Sequence, residues 1–201
     1  GLFTGAVFAL QGAVAFRLFN AESLVGPTVG LSLARELAPV LTGLMVTGRA
    51  GSGIATELGT MRVTEQIDAL RTMATHPVDH LVVPRVLATV ISMPLLTVLA
   101  WVVGIFAAMI LASSLLGIES AFSLKHMYFY TDAEDVLMGL IKALVFGLLI
   151  SLISCYRGLN CTNGAEGVGR ATNEAVVQSC IAILVSNFFL TLFLRSLLYP
   201  G

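Results

Sequence analysis

The chain has 201 residues, of which 57% are hydrophobic and 11% are charged, and its formal net charge is −1. A soluble domain carries about 25% charged residues, so this composition excludes an ordinary soluble globule and a disordered chain. It also excludes a polybasic nucleic-acid-binding protein. The composition instead predicts an integral membrane protein.

Long uncharged runs predict five membrane-spanning helices. A helix needs about 20 residues to cross a bilayer, and no run shows the alternation typical of barrel strands. We therefore predict an all-α integral membrane protein that forms a single domain over 1–201, with spans at 1–19, 27–48, 83–113, 134–156 and 174–198. The first run starts without a methionine or a charged leader, so we expect a natural N-terminal stretch to precede residue 1.

The connections between these spans differ in charge. One side carries six arginines: Arg49, Arg62, Arg71, Arg85, Arg157 and Arg170. The other side carries an acidic group: Glu119, Asp132, Glu134 and Asp135. Because basic connections stay in the cytoplasm, 49–85 and 157–173 are predicted to be cytoplasmic, with the carboxyl end outside.

An amphipathic segment, 54–75, lies between the second and third spans. Val63, Ile67, Leu70 and Ala74 recur at the spacing of one helix face. Two interpretations remain open: a helix lying on the membrane surface, or a helix inserted into a groove of a cytoplasmic partner. Mixed charge weakens the first interpretation, because surface helices carry mainly Lys and Arg on the polar face.

Just before this segment, residues 48–53 read GRAGSG. The chain has no Gly-Lys dipeptide, so the phosphate-loop pattern is absent, and Thr56 stands at the third glycine of GxGxxG. We interpret the small residues as allowing close helix packing and a turn of the chain at the membrane face. Without a nucleotide motif, this chain cannot by itself harness ATP.

Three charged residues interrupt the predicted spans: Arg35, Glu36 and Lys142. A charge at mid-bilayer costs about 2.5–3.5 kcal/mol on insertion scales, so such groups face a cavity or each other. The depths of these residues in their predicted spans allow their charges to be neutralised by a Glu36–Lys142 pair or an Arg35–Glu36 pair. Two interpretations remain open: a buried pair that ties helices together, or a polar wall of a ligand cavity. Gln11 is a weaker candidate, because a single amide often makes only a helix–helix hydrogen bond.

The sequence shows no recognisable catalytic or metal-binding constellation. His76 and His80 are four residues apart, but Pro77 disfavours a regular helix through them and no third ligand is evident. No nucleophile–base set or paired carboxylates can be placed within the spans. We therefore expect a non-enzymatic chain that holds no metal or cofactor of its own.

Several stretches, in order along nearly the whole chain, resemble the MlaE-type permease family. They are ALQG (9–12), LSLARELAPVLTGLMVTGRAGSGIATELGTMRVTEQIDAL (31–70), PRVLATVISMPLLTV (84–98), IKALVFG (141–147) and GVGRAT (167–172). Members are membrane subunits of the bacterial system that maintains outer-membrane lipid asymmetry. The resemblance implies the MlaE-type ABC permease fold, with five spans and a cytoplasmic coupling helix between spans two and three. It also implies an amino-terminal interfacial helix, which this chain is expected to lack.

The resemblance further implies a phospholipid transporter of the bacterial inner membrane and a set of partners. Family permeases form a homodimer on two ABC ATPase subunits, which bind ATP and magnesium. STAS-domain proteins attach in some systems, and a periplasmic ring of MCE-domain proteins lies above. Phospholipid binds in a cavity between the two permeases, and ATP binding by the partner is expected to collapse that cavity.

Site residues carry over from the family by position. The residues that line or border the lipid cavity are Gln11, Ala15, Phe19, Arg35, Glu36 and Lys142. The 54–75 segment corresponds to the coupling helix, with candidate ATPase contacts at Glu57, Arg62, Glu65, Asp68 and Arg71. The alternatives are an importer of another hydrophobic substrate, such as a sterol, and a membrane scaffold without transport. A continuous aqueous pore is disfavoured because it needs polar residues along several spans.

Overall fold

Helices joined by short connections make up the chain over the residues that this computed structural model describes: 1–17, 25–74, 76–115 and 132–198. No strand occurs in those ranges, which confirms the all-α prediction. The helices are α1 (Leu2–Arg17), α2 (Val25–Val63), α3 (Gln66–Thr72), α4 (Val83–Leu115), α5 (Ala133–Leu159) and α6 (Gly164–Leu198).

Four segments of the described chain are long and apolar enough to cross a membrane. They are Val25–Val63, Val78–Leu111, Ala133–Leu159 and Gly164–Leu198. The first helix is apolar but shorter, with 16 residues, which corresponds to a rise of about 24 Å. Four spans are therefore supported by length and composition, and a fifth at 1–19 stays a prediction.

Helix α2 is longer than the predicted second span, 27–48. It continues through GRAGSG to Val63, with π-helical turns at Leu33–Leu37 and Thr47–Gly51. The expected turn of the chain at 48–53 is therefore wrong. Close packing is found at Gly51, where a Cβ would lie 3.1 Å from Ser154 Oγ and 3.2 Å from Ile150 Cγ2, whereas no atom of the described residues lies within 4 Å of a Cβ at Gly48 or Gly53.

The predicted helix over 54–75 is two helices in the structure. Helix α2 ends at Val63, Glu65 adopts a left-handed conformation (φ 60°), and α3 occupies Gln66–Thr72. This break changes the predicted apolar face: Ile67 is buried and Leu70 is half-buried, whereas Val63 is exposed. The prediction assumed one helical period across a position where the backbone turns.

The connection between α5 and α6 is also shorter than predicted. Helix α5 ends at Leu159, and α6 begins at Gly164, well before the predicted span at 174. Gly164 has a positive φ of 62°, a conformation that glycine adopts without a Cβ clash. Most of the predicted cytoplasmic connection 157–173 is therefore helical.

Contacts divide the chain into two compact units, and α2, α4 and α5 each contribute to both. The first unit comprises Gly1–Pro39 and Leu95–Ile141. Its core lies between α1, the start of α2 and α4; the core residues are Ala9, Ala13, Val25, Val29, Leu33 and Ala108, with Phe8, Phe16, Leu37, Trp101, Ile105 and Leu111 packed against them. Trp101 Nε1 donates a hydrogen bond to the Gly30 carbonyl at 3.3 Å.

The second unit comprises Val40–Pro94 and Lys142–Gly201. Its core is formed by Met93, Phe146, Ile150 and Ile183. Glycines let the helices approach closely here: a Cβ at Gly158 would lie 2.8 Å from the Ala55 carbonyl oxygen.

Candidate functional site

Arg35 forms an ion pair with Asp135 within the first unit. Its Nε donates to Asp135 Oδ1 at 2.5 Å, and its Nη2 pairs with the same oxygen. The Asp135 side chain is 1% exposed, whereas the Arg35 side chain is 31% exposed. The buried carboxylate thus balances a guanidinium that still reaches the protein surface.

The sequence at the start of α5 explains why Asp135 stands there. Asp132 precedes the first helical residue, and its backbone N–H donates to Asp135 Oδ2 at 3.0 Å. A carboxylate three residues into a helix that accepts this bond forms half of a capping box. One oxygen of Asp135 therefore caps the helix while the other binds Arg35, so both are satisfied.

Asp135 is a site residue that the sequence reasoning did not single out. The sequence pattern places Asp135 only among the acidic residues of the outer side. The spacing of Asp132 and Asp135 just before an apolar run was the available signal, because that spacing is typical of a capped helix start. The signal locates the helix start, but it does not show which residue on α2 meets the carboxylate.

The π-helical turn of α2 contains both predicted charged residues of that helix. Arg35 and Glu36 lie in Leu33–Leu37, and both are half-buried. Such turns are rare and occur frequently at functional sites. Close packing holds α5 beside this turn, because a Cβ at Gly139 would overlap the Ala34 carbonyl oxygen.

Lys142 belongs to the second unit and is fully buried. Its Nζ donates to Thr191 Oγ1 at 2.8 Å, and Thr191 Oγ1 donates to the Asn187 carbonyl at 2.8 Å. This contact joins α5 to α6 and fits the interpretation of a group that ties helices together. Glu36 and Lys142 lie in different units, so their mutual neutralisation stays a prediction.

The remaining predicted lipid residues lie at the start of the chain. Gln11 and Ala15 are exposed, one turn apart on α1, on a different face from the buried Ala9 and Ala13. They are open to a ligand, a lipid or another chain. Phe19 lies outside the described residues.

The predicted ATPase-coupling residues form two groups in the second unit. Asp68 Oδ1 accepts from Arg62 Nη1 at 2.9 Å and from Arg71 Nη1 at 3.4 Å, which bridges the break between α2 and α3. Glu57 pairs instead with Arg85 at 3.1 Å. Glu65 is exposed at the break itself. All these groups retain exposed side-chain surface, so individual pairs contribute little to stability.

A further polar group in the second unit joins α5 to α6. Arg157 Nε donates to Gln178 Oε1 at 2.8 Å, and its Nη1 pairs with Glu174 at 2.9 Å. Sequence reasoning assigned Arg157 only to the cytoplasmic side. Glu174 and Gln178 are four residues apart on one helix face, which was the signal for a shared partner.

No metal site is found where the structure can be read. Groups of three or more His, Cys, Asp or Glu side chains able to hold an ion are absent from the described ranges. His76 and His80 are both exposed there.

Apolar surface and buried charge together define the class of this protein. Many large apolar side chains are exposed along the long helices, among them Leu99 on α4 and Phe188 and Phe193 on α6. Exposed apolar surface of this extent is typical of helices that face lipid. With four long apolar helices, these features define a multi-pass membrane protein.

The chain belongs to the MlaE permease family. The family model described as Permease MlaE matches residues 1–193, which include parts of both compact units. The chain is therefore the membrane subunit of a transporter, as its resemblance to the family predicted.

Two of the three curated relatives described here carry permease names. A probable ABC transporter permease protein of Rickettsia conorii is 50% identical over 189 residues, covering 94% of this chain and 73% of the relative. The intermembrane phospholipid transport system permease protein MlaE of Haemophilus influenzae is 38% identical over 192 residues, covering 95% and 74%. The chloroplastic protein TRIGALACTOSYLDIACYLGLYCEROL 1 of Arabidopsis thaliana is 38% identical over 191 residues, covering 95% and 55%.

Proposed function

We propose that this chain is the permease subunit of an ATP-driven transporter that moves phospholipid between the inner and outer membranes. The observation that carries the proposal is the Arg35–Asp135 pair: a guanidinium held by a buried carboxylate in an apolar helix, with about one third of its side chain exposed. A planar guanidinium suits a phosphate group, because it offers several donors in a fixed fork. The name of the Haemophilus relative supports phospholipid as the substrate.

Lipid recognition in this proposal combines a phosphate contact with apolar walls. Arg35 binds or orients the lipid phosphate, Asp135 holds Arg35 in place, and Glu36 limits the net positive charge. Burial of acyl chains contributes about 0.8 kcal/mol for each CH₂ group. The resemblance to the family further assigns Gln11, Ala15, Phe19 and Lys142 to the residues that line or border the cavity.

The proposed assembly follows the family. Two copies of the chain form a homodimer with the lipid cavity between them, on two ABC ATPase subunits that bind ATP and magnesium. A periplasmic ring of MCE-domain proteins completes it, with a STAS-domain protein in some systems. The chain itself holds no cofactor, lies in the bacterial inner membrane and has its C-terminus on the periplasmic side.

Coupling to ATP hydrolysis is assigned to α3 and the end of α2. Asp68 joins α3 to the end of α2 through Arg62, and Glu57 and Glu65 add exposed charge for an ATPase groove. ATP binding moves the two copies of this segment together and collapses the cavity. A change of state moves the lipid only if it lowers the affinity of the cavity for lipid.

The first test is mass spectrometry of the lipids retained by the purified transporter complex, with and without a trapped ATP state. Phospholipid that is present without nucleotide and lost in the trapped state is expected. No enriched lipid in either state contradicts lipid transport and favours a scaffold. Enrichment of a different hydrophobic compound, such as a sterol, identifies the alternative importer.

Arg35→Lys tests the phosphate contact, because Lys keeps the charge beside Asp135 but loses the fork. Retained phospholipid should fall several-fold. Arg170→Lys is the matched control, since Arg170 lies on α6 in an exposed pair with Glu166. Equal retention by both folded variants would remove Arg35 from lipid binding.

Asp68→Lys tests the coupling segment, because it repels both arginines that Asp68 now binds. ATP-driven lipid release should fall while lipid bound without nucleotide is unchanged. Glu166→Lys is the control, since it reverses an exposed acid outside α3. Normal release by the Asp68 variant would exclude this bridge from coupling.

A further inference from the structure

Three buried hydroxyl groups in the second unit have no hydrogen-bond partner in the part of the chain that the structure describes. They are Thr47 Oγ1 on α2, Ser154 Oγ on α5 and Ser179 Oγ on α6. All three residues are 0% exposed. Buried polar groups are nearly always satisfied by protein or by ordered water, so three unsatisfied groups in one unit require an explanation.

The three side chains lie on adjacent turns of the packed helices. A Cβ added to Gly51 would lie within 4 Å of both Ser154 Oγ and the Thr47 methyl carbon Cγ2. Ile183 meets Gly43, and Thr172 Oγ1 meets Thr56 Oγ1 at 2.8 Å, so α6 runs antiparallel to α2. Thr47 lies one turn after Gly43 on α2, and Ser179 lies one turn before Ile183 on α6. Because the two helices are antiparallel, Thr47 and Ser179 face the same part of the interface.

Other hydroxyls of the same helices behave differently. Ser151 donates to the Gly147 carbonyl at 2.9 Å, Thr172 to the Val168 carbonyl at 2.8 Å, and Thr56 to the Ser52 carbonyl at 2.8 Å. Such bonds within a helix are the usual way for Ser and Thr to be satisfied in an apolar interior. Thr47, Ser154 and Ser179 do not make such bonds.

The residues around these hydroxyls favour an uncharged ligand over an ion. Ile150 and Ile183 of the apolar core lie one turn away on one side. On the other side Arg157 binds Glu174 and Gln178, so that carboxylate is already paired. An ion held by three hydroxyls alone would lack the charged ligands that normally offset its desolvation. Arg157 and Glu174 also reach the surface.

We propose that Thr47, Ser154 and Ser179 form a binding site for one internal water molecule that bridges α2, α5 and α6. The site lies where α2 adopts its second π-helical turn, Thr47–Gly51. A bridging water satisfies all three hydroxyls without requiring them to touch. It also lets the three helices shift slightly at this level, because water exchanges hydrogen-bond partners more easily than side chains do.

A structure of the purified transporter complex at a resolution that shows ordered water tests the site directly. One density peak within hydrogen-bond distance of all three oxygens is expected. Absence of that peak would overturn the proposal. This test uses the unmodified protein, so it does not depend on whether a variant folds. An unfolding midpoint that rises in sodium chloride over choline chloride, at equal ionic strength, would identify a cation and also overturn it.

Thermal unfolding of the complex supplies the second test. Ser154→Ala and Ser179→Ala are each expected to lower the midpoint by about 2–4 °C, because each loses a water-mediated bond. The double variant should lose less than the sum, since both bonds go to one water. Ser151→Ala is the control, being equally buried on α5 but bonded to its own helix. A higher unfolding midpoint in Ser154→Ala or Ser179→Ala would show that the hydroxyl is buried without a bound water, and this would refute the site.

Discussion

Each oxygen of Asp135 has its own partner at the residue scale, and this division explains how a carboxylate is tolerated inside apolar helices. Oδ2 accepts the backbone N–H of Asp132, and Oδ1 accepts from Arg35. A buried ion pair needs such additional bonds, because Coulomb attraction alone does not repay the desolvation of two charges.

Asp135→Asn should destabilise the protein by about 2 kcal/mol, between the values for exposed and fully buried pairs. The variant keeps the size of the side chain but removes the negative charge that Asp135 places beside Arg35. Glu134→Gln is the matched control, since Glu134 is an exposed acid in the same first turn. Thermal unfolding of the purified protein measures both. A loss in Asp135→Asn no larger than in Glu134→Gln would show that the pair adds no stability.

Close helix approach is the main feature at the element scale. Gly158 on α5 meets α2 so closely that a Cβ would lie 2.8 Å from both the Ala55 carbonyl oxygen and Leu58 Cβ. At Gly169 on α6, by contrast, no atom lies within 4 Å of a Cβ among the described residues. The same substitution should therefore have opposite effects at these two positions.

Gly158→Ala should destabilise by about 1–3 kcal/mol through overpacking against backbone. Gly169→Ala should stabilise by about 0.5–1 kcal/mol, because alanine restricts the unfolded chain and suits a helix. Chemical or thermal unfolding in the same detergent compares them. Equal effects at the two positions would contradict the close contact of α2 with α5.

The break between α2 and α3 depends on one residue in the left-handed conformation. Glu65→Gly should stabilise the break by about 1 kcal/mol, because glycine has no Cβ penalty at φ 60°. Glu65→Gln removes the charge but keeps the Cβ, so it should show no such gain. A higher unfolding midpoint for both variants would assign the effect to charge rather than to backbone conformation.

At the scale of the whole molecule, the distribution of arginines predicts an orientation in the membrane. In a variant without Cys155, Cys161 and Cys180, we would introduce Met73→Cys or Ser196→Cys, both at exposed positions. An impermeant thiol reagent applied to spheroplasts should label position 196 at once and position 73 only after lysis, because basic connections stay in the cytoplasm. The reverse pattern would invert the proposed topology.

The family match also bears on the scale of the whole molecule. Residues 1–193 match one permease model, although contacts divide the chain into two compact units. The boundaries of those units fall inside α2, α4 and α5 rather than at connections. The single domain predicted over 1–201 stays a prediction.

Composition and hydropathy were sufficient to predict the helical membrane class, because burial of apolar surface in lipid depends on segment length and charge. The stretch 31–70 was specific enough to predict the family. The same reasoning also located Arg35 and Lys142 as unusual, because a charge within an apolar run needs no tertiary information to be recognised. The helix ends and the GRAGSG turn were predicted less well.

Tertiary structure alone decided which groups meet. Arg35 pairs with Asp135, 100 positions away, and Lys142 meets Thr191 on another helix. Local patterns carry no information on such distant pairs. Helix α2 passes through the four residues of GRAG without a turn, and at Gly51 it packs closely against Ser154 and Ile150 of α5. The sequence by itself thus determined the class of protein and the unusual charges; packing between distant segments decided their partners and where the helices end.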